Sequence, residues 1–247
     1  MKYLTKEIIK KFFHSLGLDI RRLSPSSNHI LQLLKSCESF DIDMIFDIGA
    51  NKGQFASELR SMGFKGKIVS FEPLASEHLQ LTKVAHNDPL WTVHERTAIG
   101  DVDGQIEINI SGNSVSSSIL PMLNSHSDVS KKSKYIGKIS APIHRLDTVI
   151  DGYLENKNKY FIKIDTQGFE WQVLDGAEKS LKNSIGILCE LSLVPLYEGQ
   201  HLWLDMIKRI ESLGFTLWAL QPGFTDSFNG KTLQLDAIFF KEKMINQ

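Results

Sequence analysis

The sequence predicts an α/β fold built on a mostly parallel sheet. Three observations carry that prediction. Short apolar runs alternate with stretches of helical spacing, a glycine-bearing loop follows the first such run, and the chain closes on two strands with no helix between them. Strands that alternate with helices are joined by right-handed crossovers, which makes them parallel. At 247 residues and 42% hydrophobic content the chain can bury one full core.

Taken in order, residues 44–48, 67–71 and 90–99 read as strands. The first two are followed by helices over 55–62 and 74–85. After Gly100 the pattern becomes a period-2 strand, Gly104–Ile110, and then a stretch rich in Ser, Asn, Lys and Gly from Ser111 to Ser140. That stretch reads as the least ordered part of the chain. Alternation resumes with a strand at 160–164, a helix at 170–181, a strand at 185–191 and a helix at 202–213 that stops at Gly214. Phe215–Leu220 and Leu235–Phe240 are the closing strands. The expected organisation is a helical extension over 1–40 and one domain over 41–247, with an insert near 104–142.

Lys plus Arg number 28 and Asp plus Glu 29, a net charge of −1, so the electrostatic footprint of a nucleic-acid binder is missing. Cys37 and Cys189 alone cannot form a disulfide framework or a thiolate metal site, which points to a reducing, cytoplasmic setting. No run approaches the roughly 20 apolar residues of a transmembrane span. Leu4, Ile8, Phe12, Phe13 and Leu16 form one helical stripe with lysines opposite, without the unbroken apolar region of a signal peptide. The stripe predicts a helix docked on its own domain, with a membrane-surface helix as the sharper alternative.

Phe46-Asp-Ile-Gly-Ala-Asn-Lys-Gly-Gln-Phe55 is the first motif with chemistry. In an open α/β sheet, ligands bind outside the carboxyl ends of the strands, where Asp47, Gly49 and Gly53 fall. Glu72, at the end of the next strand, can accept hydrogen bonds from both hydroxyls of a ribose. A dinucleotide and S-adenosylmethionine both carry that ribose. Gly49-Ala-Asn-Lys-Gly53 is G-x-x-x-G rather than the G-x-G-x-x-G of a pyrophosphate turn. A carboxylate at Asp47 would repel a pyrophosphate yet can help hold an ammonium group, which favours S-adenosylmethionine.

This loop, together with Phe71-Glu-Pro73, Ala98-Ile-Gly-Asp101 with Gly104, Leu146-Asp147 and Lys163-Ile-Asp-Thr-Gln-Gly-Phe-Glu170, resembles the FkbM family of S-adenosylmethionine-dependent methyltransferases from about Met44 to Phe240. The resemblance implies a class I, Rossmann-like methyltransferase: a seven-stranded, mostly parallel sheet with an antiparallel last strand and helices on both faces. It also implies methyl transfer to a hydroxyl of a sugar, glycan or natural product. In its terms Asp47, Gly49, Ala50, Asn51, Gly53 and Glu72 hold the cofactor, and Ala98 and Ile99 lie by the adenine.

Methyl transfer from a sulfonium requires an aligned oxygen and help in losing its proton. Asp165, at the carboxyl end of its strand, is the first candidate for general base, cofactor contact or metal ligand. Lys163, two residues earlier, can pair with it. Gln167 stands where family members often carry Glu. Glu190 can complete a divalent metal pair or hold a hydroxyl, and His201 is a further candidate base. Glu170 fits a helix N-terminus, and Asp147 an N-cap for a short helix through Ile150. Asn113, Ser116, Ser117 and Ser118 offer polar groups for substrate recognition. The rival readings are a nicotinamide-dependent dehydrogenase and a binding module without turnover.

Overall fold

A computed structural model describes residues 2–155 and 158–241. Its main sheet has the order β3-β2-β1-β7-β8-β10-β9. β1 (Met44–Ile48), β2 (Lys67–Phe71), β3 (Trp91–Val93), β7 (Tyr160–Ile164) and β8 (Gly186–Ser192) run parallel. β10 (Gln234–Phe240) enters antiparallel between β8 and β9 (Thr216–Pro222). The helix-free link between the last two strands is what permits this, because antiparallel neighbours need only a turn-like connection whereas parallel ones need a crossover.

Side-chain alternation along the strands divides the core. Phe46, Ile48, Ile162 and Ile164 pack with Val173, Leu181 and Ile210 on one face. Ile45 and Phe161 pack with Leu33, Leu59 and Leu81 on the other. Those residues come from α7 (Glu170–Asp175), α8 (Glu178–Asn183) and α9 (Trp203–Ser212) on the first face. α2 (His29–Ser39), α3 (Gln54–Ser61) and α4 (Ala75–Ala85) cover the second. Both faces are therefore buried, as a parallel sheet requires.

Several sequence expectations need correcting. The strand expected over 90–99 is two strands. After Val93 the chain leaves the main sheet, and β4 (Ala98–Gly100) joins a second sheet of order β4-β6-β5. Thr97 Oγ1 helps fix that departure, bonding to the Pro142 carbonyl at 3.2 Å and to His144 Nδ1 at 2.9 Å. The insert is likewise ordered: β5 (Gly104–Ser111) pairs antiparallel with β6 (Tyr135–Arg145). Its alternating core residues Ile139, Ala141 and Ile143 are interspersed with Lys, Ser and Pro, which conceals the strand in the sequence.

The helix expected over 170–181 breaks at Gly176. A Cβ there would lie 1.7 Å from the Gly100 carbonyl oxygen, so the close approach of β4 demands glycine. Asp147 does not cap its own helix, α6 (Leu146–Val149). It accepts instead from the Lys179 and Ser180 N–H groups, at 2.9 and 2.8 Å, at the start of α8. Asp103 takes over at α6, accepting from Arg145 N at 2.9 Å and Thr148 Oγ1 at 3.1 Å.

The two helices of the first 40 residues differ in burial. α2 is part of the core, with Leu33, Leu34 and Cys37 buried. In α1 (Lys2–Ser15), by contrast, Ile8 and Phe12 are 61% and 59% exposed, and Leu16 just beyond it is 59% exposed. Among the described side chains of the stripe, Ile8, Phe12 and Leu16 are exposed and Phe13 is partly buried. Leu4, its first member, lies outside the described side chains.

Candidate active site

A cavity of about 560 Å³ opens at the carboxyl ends of β1, β2, β7 and β8. The glycine loop forms its floor. Gly49 and Ala50 donate N–H bonds to the Phe71 carbonyl at 3.1 and 3.0 Å, which ties the loop to β2. Glu72 closes the same turn by accepting from Asn51 N and Leu74 N, both at 2.8 Å. Burial lifts its carboxyl to about 7, against the pull of those two N–H groups. It lines the cavity with Gly49, Ala50, Asn51, Ala98 and Ile99.

Gly49 has φ 75°, and a Cβ on it would lie 1.8 Å from the Asp165 carbonyl oxygen. Its conformational freedom therefore serves first to bring β1 and β7 together and only then to shape the floor. Gly53, φ 85°, is the N-cap of α3, with Leu81 and Trp91 2.9 Å from where a Cβ would sit. Gly49→Ala should cost more than about 3 kcal/mol, combining left-handed strain with a backbone clash. Urea unfolding measures it, and a loss below about 1 kcal/mol would mean the loop relaxes freely.

Asp47 has a different place from the one expected. It is fully buried, on the α2–α3 face, and does not line the cavity. The parallel register sets it opposite Lys163, whose Nζ lies 3.1 Å from Asp47 Oδ1. Ser70 Oγ donates to its other oxygen at 3.3 Å. Burial pulls the Lys163 ammonium towards neutrality, but the charges of Asp47 and Asp165 outweigh that and hold it above the usual lysine range. Lys163 also donates to the Gly49 carbonyl at 2.9 Å and lies 3.5 Å from Asp165 Oδ2. Asp47 thus acts on the floor through Lys163 rather than on an ammonium group directly.

Asp165 is the half-exposed member of a carboxylate group on the cavity wall. Gln167, held at φ 55°, donates from Nε2 both to Asp165 Oδ1 at 2.9 Å and to Glu190 Oε2 at 2.8 Å. Tyr197 OH donates to Gln167 Oε1 at 2.9 Å, and Ser118 Oγ to the Gln167 carbonyl at 2.6 Å. These bonds offset the left-handed strain. Gln234 Nε2 adds a second amide to Glu190, at 2.7 Å. Burial, then Asp165 and its acidic neighbours, push the Glu190 carboxyl well above the ordinary range, and burial lifts Asp236 to about 6.

This donor set does not suit a divalent ion. Among the described residues no group of three or more His, Cys, Asp or Glu side chains could hold a metal. The Gln167 amide already sits between the two carboxylates that would have to supply it.

Glu170 accepts from Thr166 N at 2.9 Å and Gly168 N at 3.1 Å ahead of α7. Burial raises its carboxyl to about 7. Because the folded state holds that proton more tightly, Glu170 lowers stability progressively as pH rises from its unfolded value near 4.3 to about 7, by up to about 4 kcal/mol. Glu170→Gln keeps an accepting oxygen and should flatten that share of the pH dependence. Melting temperatures between pH 5 and 8 check it, and an unchanged slope would refute it.

His201 is outside the cavity. It is exposed and stacked on Trp171, ring centroids 3.7 Å apart. Asn113 and Ser117 do line the cavity, but their polar groups are engaged within the insert loop. Asn113 Nδ2 donates to Ser133 Oγ at 3.0 Å, and Ser117 Oγ accepts from Ser111 N at 2.9 Å. Ser116 Oγ is 3.1 Å from Ser133 Oγ. This loop is a preformed roof.

Sequence reasoning missed the far wall: Gln221, Gln234 and Asp236 from β9 and β10, and His126 from the insert. Polar residues in otherwise apolar strands were the available signal for the first three. His126 is buried beside Tyr197 and Phe224, burial lowers its pKa, and its Nδ1 has no hydrogen-bond partner among the described residues.

The strand order with one antiparallel strand, and a cavity at the carboxyl ends over a glycine loop, define a class I methyltransferase. Residues 47–217 match the family described as Methyltransferase FkbM domain, and the chain belongs to that S-adenosylmethionine-dependent family. A sequence comparison with curated proteins finds no match. Among solved structures, magnesium protoporphyrin IX methyltransferase of Synechocystis is 10% identical at TM-score 0.46, covering 96% of this chain and 97% of that one. Fibrillarin of Aeropyrum pernix is 10% identical at TM-score 0.45, covering 80% of this chain and 66% of that one.

Proposed function

We propose that this methyltransferase is a cytoplasmic O-methyltransferase that moves the methyl group of S-adenosylmethionine to a hydroxyl of a sugar, glycan or natural product. The carrying observation is the Asp165 carboxylate, partly open to the cavity beside Gly49 and held by Gln167 and Lys163. In the proposed step the acceptor oxygen attacks the methyl carbon in line, the C–S bond breaks as the O–C bond forms, and Asp165 takes the hydroxyl proton. Glu72 meets the ribose, and Ala98 and Ile99 the adenine.

The far wall supports this acceptor class. Glu190, Asp236, Gln167, Gln221 and Gln234 present carboxyl and amide groups, which pair with neutral hydroxyls. Among the described lining residues Lys163 is the one Lys or Arg, and it is already paired with Asp47 and Asp165, so a phosphate-rich acceptor such as RNA would meet little compensating positive charge. Cys37 and Cys189 are buried free thiols, in keeping with a reducing compartment.

Thermal shift separates this reading from its rivals. S-adenosylhomocysteine should raise the melting temperature and NAD should not; a response to NAD alone would overturn it. Mass spectrometry of glycans and metabolites from a deletion strain should then reveal a lost O-methyl group. Loss confined to methylated nucleotides would exclude the acceptor class proposed.

A further inference from the structure

The helix α1 leaves its apolar side in water. Ile8, Ile9, Phe12 and Leu16 are 46–61% exposed, and Leu18, Ile20 and Leu23 of the connector are exposed as well. Side-chain hydrogen bonds in this segment are local: His14 and Arg21 both meet Asp19, and Ser15 bonds back to the Phe12 carbonyl. The charge is segregated too. Residues 1–23 carry six Lys or Arg against Glu7 and Asp19, a net of +4, while the whole chain is −1, so the remainder carries −5.

We propose that α1 and the connector to Leu23 bind the surface of an anionic phospholipid bilayer. Ile8, Phe12 and Leu16, spaced four apart, would sink into the headgroup boundary, and Lys6 and Lys10, spaced likewise on another side, would meet lipid phosphates. Fourteen residues of helix span about 21 Å, too short to cross a bilayer but sufficient to lie along it. A nucleic acid would satisfy the lysines yet leave the apolar side chains in water. A second copy of this chain would bring like-charged segments together. The connector leads into α2, whose His29, Ile30 and Leu33 form part of the cavity wall, so a bound α1 holds the acceptor side of the enzyme near the membrane.

Co-sedimentation tests this with vesicles of phosphatidylcholine alone and of phosphatidylcholine containing about one quarter phosphatidylglycerol. Binding of the full chain should be at least about tenfold greater with the anionic lipid and should weaken as salt rises. Ile8→Asp/Phe12→Asp and Lys6→Glu/Lys10→Glu should each abolish it while leaving the melting temperature unchanged, since these side chains do not pack on the domain. Equal binding to both vesicles, or no binding, overturns the proposal. So does binding that survives Ile8→Asp/Phe12→Asp, because phosphate attraction alone needs no apolar face. Self-association by light scattering that disappears in both variants would assign the surface to a second copy instead.

Discussion

Asp165→Asn should lower kcat by about 10²–10⁴-fold while S-adenosylhomocysteine affinity stays within a few-fold. The substitution removes the partly exposed carboxylate beside Gly49 but leaves what shapes the floor of the cavity. Gly49 packs against the Asp165 main-chain carbonyl, not its side chain, and Gln167 Nε2 can still donate to the amide oxygen. The ion pair with Lys163 is the longer of that residue's two, at 3.5 Å against 3.1 Å to Asp47, so Lys163 retains its principal partner. Single-turnover kinetics with an identified acceptor, beside calorimetric titration with S-adenosylhomocysteine, separate the two effects. Undiminished turnover would remove Asp165 from proton transfer. A collapse of affinity would instead mean that the carboxylate positions the donor.

What could be read from the sequence follows from how locally each feature is encoded. β1, the glycine loop and Glu72 were legible because period, turn residues and position at a strand end lie within 29 consecutive residues. The antiparallel β10 was legible because a missing helix leaves no route to a parallel strand. The far wall of the cavity was not. Gln234 and Asp236 reach the cavity only because β10 pairs with β8 in a register that sets Asp236 opposite Glu190, and no local pattern fixes that pairing. β6 was hidden for a related reason, since its inward residues alternate with Lys, Ser and Pro.

The two histidines show the limit most plainly. His201, in a loop after a strand, has the sequence setting of a catalytic residue, but tertiary packing stacks it on Trp171 in solvent. His126, in a Ser-rich segment with no periodicity, is the one enclosed beside the site by Tyr197 and Phe224. Burial, which is non-local, decides between them.

Lys163→Met should destabilise the protein by about 3–5 kcal/mol, because it strands a fully buried Asp47 carboxylate. Asp47→Asn/Lys163→Met should recover most of that loss, since no buried charge then lacks its partner and Ser70 Oγ can still bond to the amide. The non-additivity, measured by urea unfolding of all four proteins, reports the pair itself; losses that simply add would show that the two charges do not depend on one another. The folded-state pKa of Lys163 is raised, so its contribution is fully present below the unfolded value near 10.4 and declines only as pH rises through the higher folded value. Measurements at pH 6 and 8 should therefore agree on this term. Stability is only part of what the pair does, however. Lys163 Nζ also holds the Gly49 carbonyl at 2.9 Å and faces Asp165, so the double variant, though nearly as stable as the parent, should still bind S-adenosylhomocysteine more weakly. A buried ion pair that apolar or neutral residues could replace at little cost in stability is in this fold the link between the cofactor floor and the proposed base.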